Sequence, residues 1–163
     1  MATQENLISA FAGESQANRK YLAFARKAEK EGKKGLAQLF RVVAEGETIH
    51  ALGHLEVAGG VSDSLENVKK AIKGETYEFT TMYPSFLEEA EKEGNTGASI
   101  GFHRANEVEK EHGKLFQEAL DKNGDIEEKE YYLCEICGHI EIGGAPEKCP
   151  VCGVPKDRFR KID

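Results

Sequence analysis

Glu47-Thr-Ile-His50 and Glu109-Lys-Glu-His112 are two copies of one pattern, each set in a stretch whose apolar residues recur at alternating steps of three and four. Residues three apart on a helix lie on one face about a turn from each other, so each copy aims a carboxylate and an imidazole at one point. One Glu-x-x-His arises readily by chance. Two of them, joined by a single Glu from each of two further helices, form the ligand set with which a helix bundle holds two iron or manganese ions.

The other carboxylates fall where that set requires them. Apolar spacing predicts helices over about residues 4–31, 34–58, 75–93 and 95–122. Glu14 interrupts the apolar stripe of the first between Phe11 and Tyr21, and Glu47 with His50 interrupts the second between Val43 and Val57. Glu75 and Glu78 open the third, and Glu109 with His112 stands between Ala105 and Phe116 in the fourth. A lone carboxylate in a core is costly or stays protonated, and five converging ones repel one another. Cations among them remove the conflict, so Glu14, Glu47, His50, Glu75, Glu109 and His112 are read as metal ligands. Glu78 is one carboxylate more than the pattern needs and can change the coordination when the metal charge changes.

The connections fit an all-α, ferritin-like four-helix bundle. Glu31 to Gly35 and Glu93 to Gly97 are short links that make antiparallel neighbours, and Gly59 to Gly74 is a longer crossover. Asp63 and Glu66 within it have the spacing of a capping box and predict a short helix through Ala71 and Ile72. Pro84 is expected to kink the third helix or delay its start. Gly46 removes a side chain beside Glu47 and costs about 1 kcal/mol of helix propensity. After Ala119 the periodicity gives way to a polar run around Gly124, which divides the chain into a bundle domain, 1–128, and a small metal-organised domain with short β-strands, 129–163.

All four cysteines lie in that second part, as Cys134-Glu-Ile-Cys137-Gly138 and Cys149-Pro-Val-Cys152-Gly153. Two such pairs chelate one metal, and glycine after the second cysteine permits the left-handed turn that brings amide N–H groups toward sulfur. Tetrahedral thiolate sites admit iron or structural zinc alike. In the bundle, carboxylates with two imidazoles suit iron or manganese, and iron is expected. Tyr21 and Tyr83 lie within two turns of a ligand and can donate to a ligating carboxylate. His54 and His103 read as supporting or surface histidines, and His139 as an exposed one.

Residues 131 to 163 hold five basic and five acidic residues, so the net charge of −7 belongs to residues 1 to 130. That balance argues against nucleic acid or an anionic membrane as partner. No run of 18 apolar residues and no charged start with an apolar run occurs, which leads to the expectation of a cytoplasmic protein.

Taken together, Gly13-Glu14-Ser15-Gln16-Ala17 with Tyr21, Glu47-Thr-Ile-His50, Gly74-Glu75-Thr-Tyr-Glu78 with Met82-Tyr83-Pro84, Glu109-Lys-Glu-His112 and the two cysteine pairs resemble the rubrerythrins over nearly the whole chain. The resemblance implies a non-haem di-iron centre, a rubredoxin-like iron on the four cysteines, and reduction of hydrogen peroxide to water with electrons entering through that iron. It makes Glu47 and Glu109 bridging carboxylates, Glu14 a terminal ligand to one iron, and Glu75 with His112 ligands to the other. It makes Glu78 and His50 alternatives on the first iron, used when oxidised and when reduced. A rubredoxin or an NAD(P)H-dependent reductase is the implied electron donor, and a homodimer or higher homo-oligomer the implied assembly. The competing reading is a ferroxidase or iron-handling protein with a structural zinc tail. With ligands at mid-helix and the tail at the bundle's end, a head-to-tail dimer is expected to bring one chain's tail beside the other's di-iron site.

Overall fold

Alanine decides how the first two helices meet. In a computed structural model, which describes residues 2–162, α1 (Ala2–Lys30) and α2 (Lys34–Val57) form an antiparallel hairpin. Its seam is Ala25 and Ala28 against Ala37, Ala44 and Ala51, all buried. Small side chains let the helix backbones approach closely, so the buried amide of Asn18 reaches across to the Ala44 carbonyl at 2.7 Å and Thr48 Oγ1 at 2.8 Å. Gly32, at φ +76°, makes the turn between the helices. Residues up to Ser62 form one compact unit.

Asp63 to Asp163 form the second unit. Asp63 caps α3 (Ser64–Tyr77) by accepting from the Glu66 N–H at 3.0 Å, as the capping-box spacing predicts. The helix it starts does not stop at Ile72. It runs through Glu75 into a π-helical turn, Glu78–Met82, and continues as α4 (Tyr83–Lys92). The expected crossover of sixteen residues is thus mostly helix, and only residues 58–63 separate α2 from α3. Pro84 marks the start of α4, standing in its first turn directly after the π-segment, where a missing N–H costs little. Asn95 caps α5 (Thr96–Asp121), against which both α3 and α4 pack.

The tail is a three-stranded antiparallel sheet, ordered β2 (Ile140–Ile142), β1 (Tyr131–Cys134), β3 (Phe159–Ile162). A single 3-10 turn, Lys156–Arg158, precedes β3. The architecture is therefore the expected one: helical, with a small strand-bearing cysteine domain after it. No helix among the described residues is long and apolar enough to cross a membrane.

Candidate metal centres

Each unit gathers one three-residue group. In the first, Glu14 on α1 meets Glu47 and His50 on α2, with His50 Nδ1 3.2 Å from Glu47 Oε2 and 3.7 Å from Glu14 Oε2. In the second, Glu75 on α3 meets Glu109 and His112 on α5, with His112 Nδ1 2.8 Å from Glu109 Oε2. One ligand atom per residue lies within 4.8 Å of the others in each group, close enough to share an ion.

Within each group the carboxyls act on one another. Glu14 and Glu47 hydrogen-bond to each other, which holds the Glu14 carboxyl below its ordinary range and raises that of Glu47. Glu75 is raised by burial first and then by its hydrogen bond to Glu109. An apolar cavity of about 520 Å³, walled by Val68, Leu115, Phe116, Tyr131 and Leu133, opens onto Glu75 and His112 and accounts for the poor solvation there. Glu78 stands outside both groups, at the start of the π-turn; burial raises its carboxyl, Glu75 adds to the rise and His112 opposes it.

The phenols differ. Burial and then Glu109, Glu78 and Glu75 raise Tyr83, so its hydroxyl stays protonated beside the carboxylates. Tyr21 packs with Phe24 and Phe40. Half-buried His54 acts electrostatically on Glu14, and His103 is exposed.

The two helical halves repeat each other. Glu29-Lys-Glu-Gly-Lys-Lys-Gly35 returns as Glu91-Lys-Glu-Gly-Asn-Thr-Gly97, and Phe40, Glu47 and His50 return 62 residues later as Phe102, Glu109 and His112. The aromatic trio Tyr21, Phe24, Phe40 has its counterpart in Tyr83, Phe86, Phe102, with the same ring contacts. Glu14, however, matches Glu75 at a shift of 61. One extra residue therefore lies between Glu75 and Tyr83, where the helix makes its π-turn and the Tyr83 N–H bonds the Glu78 carbonyl five residues back. An inserted residue in a continuing helix is accommodated as a π-bulge. The insertion sets the two halves apart and carries the surplus carboxylate, Glu78.

In the tail, Cys134, Cys137, Cys149 and Cys152 converge as free thiols. Sulfur separations of 3.7 Å (Cys134–Cys152) and 3.6 Å (Cys137–Cys149) approach the edge of about 3.8 Å that a tetrahedron with metal–sulfur bonds of 2.3 Å would have. Gly138 (φ +88°) and Gly153 (φ +75°) make the left-handed turns the sequence requires. Burial opposes the Cys134 thiolate, yet the N–H groups of Ile136 and Cys137 aimed at its sulfur hold its pKa down. Burial pushes Cys137 and Cys152 up, against single N–H bonds from His139 and Val154. Four clustered thiols with such amides fit a metal that takes them deprotonated.

Two expectations are corrected within the second unit. His139 is not exposed: it is 6% accessible, with Nδ1 2.5 Å from Glu111 Oε2 and Nε2 3.3 Å from Glu141 Oε2. Nor does the tail need a second copy to reach a metal group. Gly138 packs on Val108 of α5, and its carbonyl lies 3.3 Å from His112 Nε2 in the same chain. Neither contact is readable from spacing, because both join segments 26 to 30 residues apart across an irregular linker.

Residues 5–120 match the family described as rubrerythrin, and residues 132–160 match the rubrerythrin rubredoxin-like domain. Rubrerythrin-2 of Clostridium acetobutylicum is 38% identical over 97% of this chain and 95% of its own length. Nigerythrin of Nitratidesulfovibrio vulgaris is 37% identical over 97% of this chain and 85% of its own. A structure titled as the partially reduced state of nigerythrin matches with a TM-score of 0.59 at 34% identity, covering 98% of this chain and 86% of that one. One match spans both carboxylate–histidine groups and the other spans all four cysteines, so the donor sets built above, suited to a di-iron centre and a rubredoxin-like iron, belong to a member of the rubrerythrin family.

Proposed function

We propose that this protein is an oxidoreductase that reduces hydrogen peroxide to water and protects against oxidative stress, with electrons entering through the four-cysteine domain, residues 129–163. The observation that carries the reading is the position of His112 between the two kinds of site. Its Nδ1 faces Glu109, and its Nε2 faces the carbonyl of Gly138, the residue after Cys137. A carbonyl only accepts, so Nε2–H donates to Gly138, which would leave the Nδ1 lone pair for a metal held together with Glu109.

In this reading Glu47 and Glu109 would be shared between the two irons, Glu14 would complete the first iron's ligands, and Glu75 with His112 would hold the second. Glu78 and His50 would be alternative ligands to the first iron, the carboxylate suited to its higher charge and the imidazole to its lower. Iron held by these residues would supply the two electrons that, with two protons, convert one peroxide to two waters, and iron held by the four cysteines would pass on electrons from a rubredoxin or an NAD(P)H-dependent reductase. Glu47, raised by its hydrogen bond to Glu14, and Glu75, raised by burial, give up their protons at higher pH than an ordinary carboxyl. Tyr83 keeps its hydroxyl proton beside Glu109 and Glu78 and can donate it to a carboxylate. A cytoplasmic homodimer or larger homo-oligomer is the setting we infer for this chemistry.

The test is reductase-coupled peroxide consumption by protein carrying iron at every site, beside protein with zinc on the four cysteines. Loss of turnover with zinc supports electron entry through the tail. Full turnover with zinc there, together with ferrous iron oxidation, would favour the iron-handling reading.

A further inference from the structure

We infer that His139 and Glu111 form a latch that fixes the first cysteine knuckle on α5 and thereby sets the contact through which electrons leave the tail; the inference rests on the electron route proposed above. His139 belongs to the knuckle through its backbone: its N–H points at the Cys137 sulfur, and its carbonyl accepts from the Cys134 N–H at 2.9 Å. Its side chain belongs to α5, through the 2.5 Å contact of Nδ1 with Glu111 Oε2. Glu111 directly precedes His112, and Gly138 directly precedes His139, so two neighbouring residues of one element grip two neighbouring residues of the other.

The environment suits a fixed contact. His139 is 8% exposed at its side chain and is stacked edge-on against Phe159 with ring centres 6.2 Å apart, which leaves the imidazole little freedom to leave Glu111. Val108, 1% exposed, lies under Gly138 one turn before Glu111 and supplies the apolar floor. By contrast the His112–Gly138 contact is 3.3 Å long and uses a single carbonyl, too weak alone to orient a small domain. A carboxylate acceptor shared with a buried ring is the stronger of the two and is placed to hold the weaker. His139 and Glu111 are thus positioning residues, acting through Gly138 and His112. Glu141, which contacts the other ring nitrogen, lies on β2 within the tail and cannot fix the tail to the helix.

The experiment uses the full chain and two readouts. With iron at all sites, transfer from reduced thiolate-bound iron to the oxidised centre is followed by stopped flow in the parent and in His139→Ala, Glu111→Ala, Glu111→Gln and Glu141→Ala. With zinc on the cysteines, amide ¹⁵N relaxation compares residues 131–162 with α5. Loss of the latch should slow transfer about tenfold or more in His139→Ala and Glu111→Ala, as expected when reacting groups lose a fixed geometry. Glu111→Gln, which keeps an acceptor oxygen, should recover much of the rate, and Glu141→Ala should stay near the parent. The tail amides should gain mobility relative to α5 in the two slow variants alone, while an unchanged thiolate–iron spectrum shows the knuckle intact. Unchanged transfer in His139→Ala and Glu111→Ala overturns the latch, with or without a change in relaxation. Absence of transfer in the parent itself would instead sink the electron route, and unchanged relaxation in the variants would then overturn the latch separately.

Discussion

His112 and Gly138 touch across 3.3 Å, ring nitrogen to carbonyl oxygen, and this joins the carboxylate–histidine group on α3 and α5 to a knuckle of the four-cysteine cluster within one chain. Replacing His112 should therefore do two things. His112→Ala should weaken metal binding at the group of Glu75 and Glu109, and should slow delivery of electrons to whatever metal remains. His112→Gln should give a milder loss of affinity, with metal content per chain as the measurement.

Iron on the four cysteines should be needed for turnover and not for the helical fold. The tail sheet has strands of three and four residues, so its stability comes largely from the metal. Cys137→Ser should keep the far-ultraviolet circular dichroism of the helices and abolish reductant-driven peroxide reduction. Undiminished turnover would mean that electrons enter elsewhere.

Metal loading should release protons. In the metal-free protein the Glu75 and Glu78 carboxyls sit above the ordinary value of 4.5, so near and above that value the folded chain holds protons that a cation must displace. Affinity should then strengthen as pH rises through the window between the ordinary and the raised values. The same sign applies to the metal-free fold: these carboxyls favour it below 4.5 and lose that contribution as pH rises through their raised values. Calorimetric titration in buffers of different ionisation enthalpy measures the proton release, and Glu75→Gln should reduce it.

Gly113 tests the repeat. Its counterpart 62 residues earlier is Ala51, a buried seam residue, and a Cβ added at Gly113 would lie 3.5 Å from Phe79 and 3.7 Å from Glu75, ordinary contact distances. Gly113→Ala should stabilise the fold by about 1 kcal/mol through helix propensity. Gly113→Leu should destabilise it, since the extra carbons have no space between α5 and α3. Urea unfolding of the two variants against the parent gives both signs.

Much of this was legible in the sequence because it obeys short-range periodicity. Glu47/His50, Glu109/His112, the Asp63 cap and the cysteine knuckles each depend on spacings of three or four residues, and the structure brings those residues together. Helix α3 was misjudged because its first three turns, Ser64 to Gly74, bury little, and a solvated amphipathic start resembles a connection. The π-turn left a signal that spacing within one helix conceals, namely the change of shift from 61 to 62 between Glu14/Glu75 and Tyr21/Tyr83. The burial of His139 had none, since the carboxylates it meets come from α5 and β2.

The inserted residue offers a separate test of Glu78. Deleting exposed Thr80 should turn the π-segment into regular α-helix and leave both Glu75 and the Tyr83 trio in the register of α1. Helical circular dichroism should persist, while the widened turn that begins at Glu78 closes to α-helical width. If Glu78 stabilises the ferric state, the deletion and Glu78→Ala should both raise the reduction potential, and His50→Ala should lower it. Shifts of one sign in Glu78→Ala and His50→Ala would leave Glu78 without the exchanging role.

The most direct measurement mixes fully reduced, iron-loaded protein with hydrogen peroxide under anaerobic conditions and follows peroxide loss and the visible absorption of ferric thiolate iron together. Electron delivery through the tail requires the ferric thiolate band to grow as peroxide is consumed, with each peroxide accounting for two electrons and the growth slowed in His112→Ala. Peroxide consumed at the parent rate while the thiolate-bound iron stays ferrous would contradict it.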